Sequence, residues 1–220
     1  MSPSRLASVG APLARASHAV ILVHGRGGSP EDMFALAERF ALPDVAWLAP
    51  EAPGRSWWPT SFLAPMARLE PSLSAGLDAL GAVHERIRAA EVAPERTLVL
   101  GFSQGACLAL EYGARSGAAR GGLVALSGGL VGTADLDGPP REALYGHAGK
   151  AFDYDASLDG VPVFIGCHER DPHIPLERVR ESERVLSALG ADVAVEIYPG
   201  AGHGVVDEEL RRVRALLNRS

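Results

Sequence analysis

The chain has 220 residues, 47% of them hydrophobic and 22% charged, with a formal net charge of −6. That is the size and balance of one globular domain with a real core. Two cysteines exclude a disulfide-stapled scaffold, and an acidic balance without any run of lysine or arginine excludes a nucleic-acid-binding surface.

Residues 1–17 are rich in Ser, Pro and Ala and lack the continuous apolar segment of a signal peptide. The first apolar run, 19–23, is far too short to span a membrane. The expectation is a cytoplasmic protein without stable membrane insertion, in which 1–17 is a loosely ordered extension and 18–220 a single domain. Residues 18–24 are apolar without alternation, as in a strand buried on both faces, and end in Gly25-Arg26-Gly27-Gly28. Residues 30–40 have helical spacing, with Ser29 as N-cap and Pro30 in the first helical position. A second strand follows at 45–50.

Residues 51–71 fit neither period. Pro53, Pro59, Pro65 and Pro71 argue against a single helix or a central strand. The stretch carries Trp57, Trp58, Phe62 and Met66, and 57–71 is read either as a cap over an acyl or aryl pocket or as core packing under a long loop. Helical spacing resumes over 72–90, Pro94 ends it, and 97–101 is a strand. The helix 105–115 and the strand 122–126 come next. Residues 130–159 are loop-rich. The strand 161–167, the helix 176–189 closed by Gly190, a strand at 192–198 nearer a sheet edge, and a terminal helix at 206–217 complete the chain. Alternating strands and helices predict an α/β fold: a mainly parallel sheet with helices on both faces and ligands beyond the carboxyl ends of the strands.

Chemistry concentrates at those ends. Gly101-Phe102-Ser103-Gln104-Gly105 lies where the pattern turns from strand to helix, which is where a sharp elbow can present one serine to solvent. A serine hydroxyl needs a base in hydrogen-bond reach, and the base needs an orienting carboxylate. For such an elbow the chain order is serine, acid, histidine. Asp171 follows the strand ending at Cys167, and His203 follows the strand ending at Tyr198. Glu169 is a second carboxylate in the same loop. His168 and His173 bracket Asp171 as loop-lining residues, and His173 joins Trp57, Trp58, Phe62 and Met66 as candidate substrate contacts. The backbone N–H groups of Gln104 and Arg26 are the candidate oxyanion donors. His24 reads as a brace for its loop. The Arg26 side chain points either to solvent or over the acyl site, where it would favour an anionic substrate. Cys107 and Cys167 read as buried hydrophobes, and no Cys/His cluster has zinc spacing.

His24-Gly25-x-Gly27-Gly28, Gly101-Phe102-Ser103-Gln104-Gly105-Ala106, Asp171-x-x-x-Pro175 and Gly202-His203-Gly204 together resemble the phospholipase/carboxylesterase family of α/β-hydrolases. That family includes acyl-protein thioesterases and is related to dienelactone hydrolases. The resemblance runs from about residue 18 to the C-terminus. It implies an α/β-hydrolase fold with a minimal cap, a Ser103–His203–Asp171 triad, and cleavage of small-molecule carboxylic esters or thioesters without metal or organic cofactor. It also implies a homodimer. Arg26 departs from the small apolar residue usual in the thioesterases, which puts their lipid preference in doubt here. Ser103 argues against the cysteine chemistry of dienelactone hydrolases. A hydrolase-fold receptor without turnover and a lactone or amide hydrolase are the alternative uses of the same residues.

Overall fold

The computed structural model describes residues 5–218. A seven-stranded sheet runs through the middle of the molecule: β1 (Leu6–Gly10), β2 (His18–Val23), β3 (Val45–Pro50), β4 (Thr97–Phe102), β5 (Gly122–Leu126), β6 (Pro162–Arg170) and β7 (Asp192–Ala201). Their order across the sheet is β1-β3-β2-β4-β5-β6-β7. β1 is antiparallel to β3, and every other pairing is parallel.

The helices are α1 (Pro30–Glu38), α2 (Met66–Ala89), α3 (Gln104–Ser116), α4 (Leu176–Ala188) and α5 (Asp207–Leu217). Alternate strand residues point to opposite faces. Ile21, Val99, Leu123 and Ile165 therefore meet α2, α3 and α4 on one face, through side chains such as Leu73, Leu80, Leu108 and Val179. Val20, Leu22, Leu100 and Phe164 meet α1 and α5 on the other, through Met33, Leu36, Leu210 and Val213. Each fully buried Leu or Ile removes enough apolar surface to contribute about 1.5–3 kcal/mol before the entropy of ordering is set against it. The inner strands are thus apolar on both sides, as the unbroken run at 18–24 predicts for β2. Among the described residues no helix is long and apolar enough to cross a membrane.

Local chemistry sets the helix starts. At α1 the Asp32 N–H donates to Ser29 Oγ at 3.3 Å and the Ser29 N–H donates to Asp32 Oδ2 at 2.8 Å, which closes a capping box ahead of Pro30.

Two expectations need correction. The extension 1–17 is not all loose: Leu6–Gly10 adds an edge strand, pairing Leu6 with Pro50 and Gly10 with Ala46. Its hydrogen bonds to β3 hold a segment that is short and half exposed, so no period marked it. Residues 1–4, also assigned to that extension, lie outside the described residues. The helix expected to begin at residue 72 begins at Met66 and runs through Pro71. Pro71 forfeits one backbone hydrogen bond in the second turn. Leu69 and Leu73, both wholly buried, make that turn worth keeping.

One buried acid links the fold to pH. Glu209 of α5 lies beneath Gly166 of β6, 1% exposed, and its Oε2 accepts the Val206 N–H at 2.8 Å. Burial, opposed by that hydrogen bond, pushes its carboxyl from 4.5 up to about 7. The folded state thus holds this proton more tightly than the unfolded chain. The contribution to stability is full below pH 4.5 and is lost as pH rises through about 7. Denaturant titrations at both pH values should show Glu209→Gln flattening the decline in stability relative to the parent protein. An equal decline in both proteins would contradict the assignment.

Candidate active site

The parallel register brings four strands side by side near their carboxyl ends: Val23 of β2 opposite Gly101 of β4, Phe102 opposite Leu126 of β5, and Leu126 opposite Gly166 of β6. β6 and β7 run on beyond this line, with a register shift between His168 and Arg170. The segments leaving these ends carry Arg26, Ser103, Asp171 and His203.

Ser103 joins β4 to α3 with φ 55 and ψ −120, a conformation that L residues avoid and that costs on the order of 1–3 kcal/mol. The Ser103 N–H donates to Leu126 O at 2.9 Å, and the Cys107 N–H donates to Ser103 O at 3.1 Å, so both backbone groups are satisfied despite the turn. A Cβ on Gly101 would overlap the Gly105 carbonyl, and one on Gly105 would overlap the Val23 carbonyl. Helix and strands therefore touch through bare backbone, and the side chain at 103 stands up out of the turn.

Ser103 Oγ lies 2.8 Å from His203 Nε2, and His203 Nδ1 lies 2.7 Å from Asp171 Oδ2. Asp171 is fully buried while the imidazole retains slight exposure. The second carboxylate oxygen, Oδ1, accepts the N–H groups of His173 at 2.8 Å and Ile174 at 3.0 Å. Burial opposes ionisation of Asp171. The hydrogen bonds from His203, His173 and Ile174 outweigh it and hold the carboxyl below the usual aspartate range. A carboxylate on Nδ1 fixes the neutral ring with its proton there and leaves Nε2 to accept from the serine hydroxyl. Glu169, the competing acid, points out to solvent against Arg170 at 3.5 Å.

The loop after β2 is held from beneath by His24, which is buried. Its Nε2 accepts the Ala52 N–H at 3.0 Å, so the ring proton sits on Nδ1, 2.7 Å from Gly25 O. Burial lowers the His24 pKa and keeps this brace neutral. Gly27 N–H bonds Arg55 O and Gly28 N–H bonds Gly25 O, leaving Arg26 at the apex. Among the described residues neither the Arg26 nor the Gln104 backbone N–H donates to a protein acceptor, and both residues line the cleft with Ser103. The Gln104 amide is also the first of α3, where the helix dipole favours negative charge.

The cleft encloses about 610 Å³. Of the candidate contacts Trp58, Phe62 and His173 line it, and the His173 ring meets the His203 ring edge-on at 4.7 Å. Trp57 and Met66 do not. Trp57 turns inward, its indole N–H donating to His24 O at 2.9 Å, so it supports the loop from below. Met66 is the first residue of α2 and faces a separate depression.

The Arg26 side chain matches neither sequence reading. It is exposed, yet Nη1 donates to Pro59 O at 2.9 Å and Nη2 donates to Thr60 O, tying the loop after β2 to the segment above the cleft. Gln104 makes the complementary tie: Nε2 donates to Trp58 O at 2.9 Å while Oε1 accepts the Trp57 N–H at 3.0 Å. Tyr145 lines the opposite wall and donates its hydroxyl to His173 O at 3.1 Å. Sequence reading missed both Tyr145 and the Gln104 side chain. Their partners are tens of residues away, and no spacing signals them.

The family model for phospholipase/carboxylesterase matches residues 5–220. A phospholipase/carboxylesterase structure from Dyadobacter fermentans is 35% identical, with a TM-score of 0.84 over 97% of this chain and 96% of that one. Acyl-protein thioesterase 1 of Gibberella zeae is 36% identical over 131 residues, 58% of this chain but only about half the length of that relative. A probable carboxylesterase of Oryza sativa subsp. japonica is 28% identical over 89% of this chain and 85% of its own length. With the strand order, the elbow and the three hydrogen-bonded side chains already pointing the same way, the match over residues 5–220 places the chain in the phospholipase/carboxylesterase family of α/β-hydrolases.

Proposed function

We propose that the protein is a serine hydrolase that cleaves carboxylic esters, and thioesters of the same acids, through an acyl-enzyme on Ser103. The observation that carries this reading is the unbroken hydrogen-bond chain from Asp171 through His203 to Ser103 at the open end of the sheet. Its similarity to proteins named carboxylesterase and acyl-protein thioesterase supports it.

Ser103 Oγ attacks the carbonyl carbon while His203 Nε2 takes its proton. Asp171 keeps the imidazole oriented and stabilises the imidazolium. The negative charge that develops on the carbonyl oxygen is met by the Arg26 and Gln104 N–H groups, each worth about 3 kcal/mol in the transition state by analogy with measured donors. The C–O or C–S bond to the leaving group then breaks, and His203 returns the proton to the departing alcohol or thiol. A water molecule, deprotonated by His203, attacks the acyl-enzyme. The acid departs and Ser103 regains its hydrogen. Trp58 and Phe62 give the acyl or aryl group an apolar wall, and the Arg26 guanidinium, as distinct from its backbone N–H, acts through the segment it holds.

Ser103→Ala should abolish turnover of p-nitrophenyl esters from acetate to palmitate while leaving the circular dichroism spectrum unchanged. A fluorophosphonate should label the parent protein and not the variant. Retained turnover or an unlabelled parent would end the assignment, the latter in favour of a receptor without turnover.

Asp171→Asn should cut kcat by about 10⁴-fold, because the amide favours the wrong imidazole tautomer. Glu169→Gln should stay near the parent value. The reverse pattern would move the acid to Glu169.

Arg26→Ala should free the 59–62 segment and raise KM for aryl esters about tenfold, the equivalent of ~1.4 kcal/mol, in line with two lost hydrogen bonds at an exposed site. An unchanged KM would show that the tie does not shape the cleft.

A further inference from the structure

The catalytic cleft is not the one depression of its size among the described residues. A second one, of about 650 Å³, shares none of its lining residues. Met66 and Thr133 form one wall, where the Met66 N–H bonds Thr133 O, and Phe152 and Tyr154 form another. Between them sits Lys150, the only lysine in the chain.

The Lys150 ammonium is poorly compensated. It contacts Met66 Sδ at 3.4 Å and stands 4.8 Å from the centre of the Phe152 ring and 5.8 Å from that of Tyr154. Among the described residues no carboxylate forms an ion pair with it. The neighbouring acids are already engaged. Glu111, wholly buried, accepts Arg115 Nε at 2.8 Å, the Tyr154 hydroxyl at 2.9 Å and the Val131 N–H at 3.2 Å. Glu70 takes the other end of Arg115 at 2.8 Å. Asp135, on the rim, accepts the Ala67 N–H at 2.6 Å through Oδ1, and Asp153 also lies on the rim.

Two arginines stand nearby, Arg115 between Glu111 and Glu70 and Arg178 in an ion pair of its own. Arg178 lies on the Phe152 ring with its Cζ 5.4 Å from the centre, pairs with Glu181 at 3.0 Å, and donates to Leu130 O and Gly132 O. Phe152 therefore has two cations against it, one paired and one not. Burial lowers the Lys150 pKa, opposed by the attraction of Glu111. A half-buried ammonium held by a thioether and two aromatic rings lacks the anion that would offset its lost hydration.

We propose that this depression binds an organic monocarboxylate, its acid group on Lys150 Nζ and its apolar body against Phe152, Tyr154 and Met66. One unpaired cation, with Asp135 and Asp153 on the rim, suits a single negative charge and disfavours a dianion. The aromatic and thioether walls suit a carbon chain or ring rather than an inorganic ion. The site stands apart from the chemistry proposed at Ser103 and does not depend on it.

Because Lys150 is the sole lysine, protein grown with lysine labelled with ¹³C at Cε gives one side-chain resonance, which reports this depression alone. Hexanoate should shift that resonance saturably. Hexan-1-ol and inorganic phosphate at the same concentrations should not. By calorimetry, Lys150→Met, close in size and apolar, should bind hexanoate at least tenfold more weakly, with an unchanged circular dichroism spectrum as the control for folding. A non-saturable or absent shift, an equal shift with hexan-1-ol or phosphate, or undiminished binding to Lys150→Met would overturn the proposal. The resonance arm uses the parent protein and stands even if the variant misfolds.

Discussion

The architecture depends on the close approach of α3 to β2 and β4. Two glycines at the ends of the elbow let carbonyl groups of strand and helix come within a distance that any Cβ would block. Three consequences follow from that one contact. The turn is forced into the strained geometry seen at Ser103. The first amide of α3 is left pointing away from the helix without an internal acceptor. The apex of the β2 loop, with Arg26, is brought alongside. Hydroxyl and amides are thus placed by the same backbone packing that closes the core. Rigidity of this kind counts, because donors fixed in advance need no reorganisation when charge develops.

Asp171 shows how the surroundings decide the behaviour of one carboxyl. It is fully buried, which by itself favours the neutral acid. Three hydrogen bonds reverse that balance. Glu209 is the more deeply buried residue and has one backbone donor, and its carboxyl moves the other way, to about 7. More donors aimed at the charge favour ionisation of Asp171, and deeper burial favours the neutral acid at Glu209. Lys150 is a third case, a cation whose nearby acids are committed to other partners.

The segment between β3 and α2 is a wall assembled by distant residues rather than a free-standing cap. Arg26 holds it from the β2 loop and Gln104 holds it from the start of α3, while Trp57 locks its inner side to His24. Its aromatic residues divide accordingly. Trp58 and Phe62 face the cleft, and Trp57 is part of the support. The following turn of helix carries Met66 to the separate depression around Lys150.

The chain by itself determined whatever depends on near neighbours. An apolar run without alternation marked β2 as a strand covered on both faces, and short apolar runs marked β4, β5 and β6 as strands. Ser29, Pro30 and Asp32 marked the start of α1, and Gly101-x-Ser103-x-Gly105 marked the elbow, since its sterics are contained in five residues. The chain order of Ser103, Asp171 and His203 was legible for the same reason, each standing just after a strand. Only the tertiary structure decided what depends on partners far away in the chain. It set the Asp171 carboxylate against His203 and left Glu169 in solvent. It recruited Leu6–Gly10 to an edge that β3 left open and carried α2 through Pro71 because Leu69 had a core to fill. It also turned the Arg26 guanidinium toward the carbonyls of Pro59 and Thr60. A local pattern records what a residue can do, but the burial and the hydrogen-bond partners that select among those possibilities exist only once the sheet has closed.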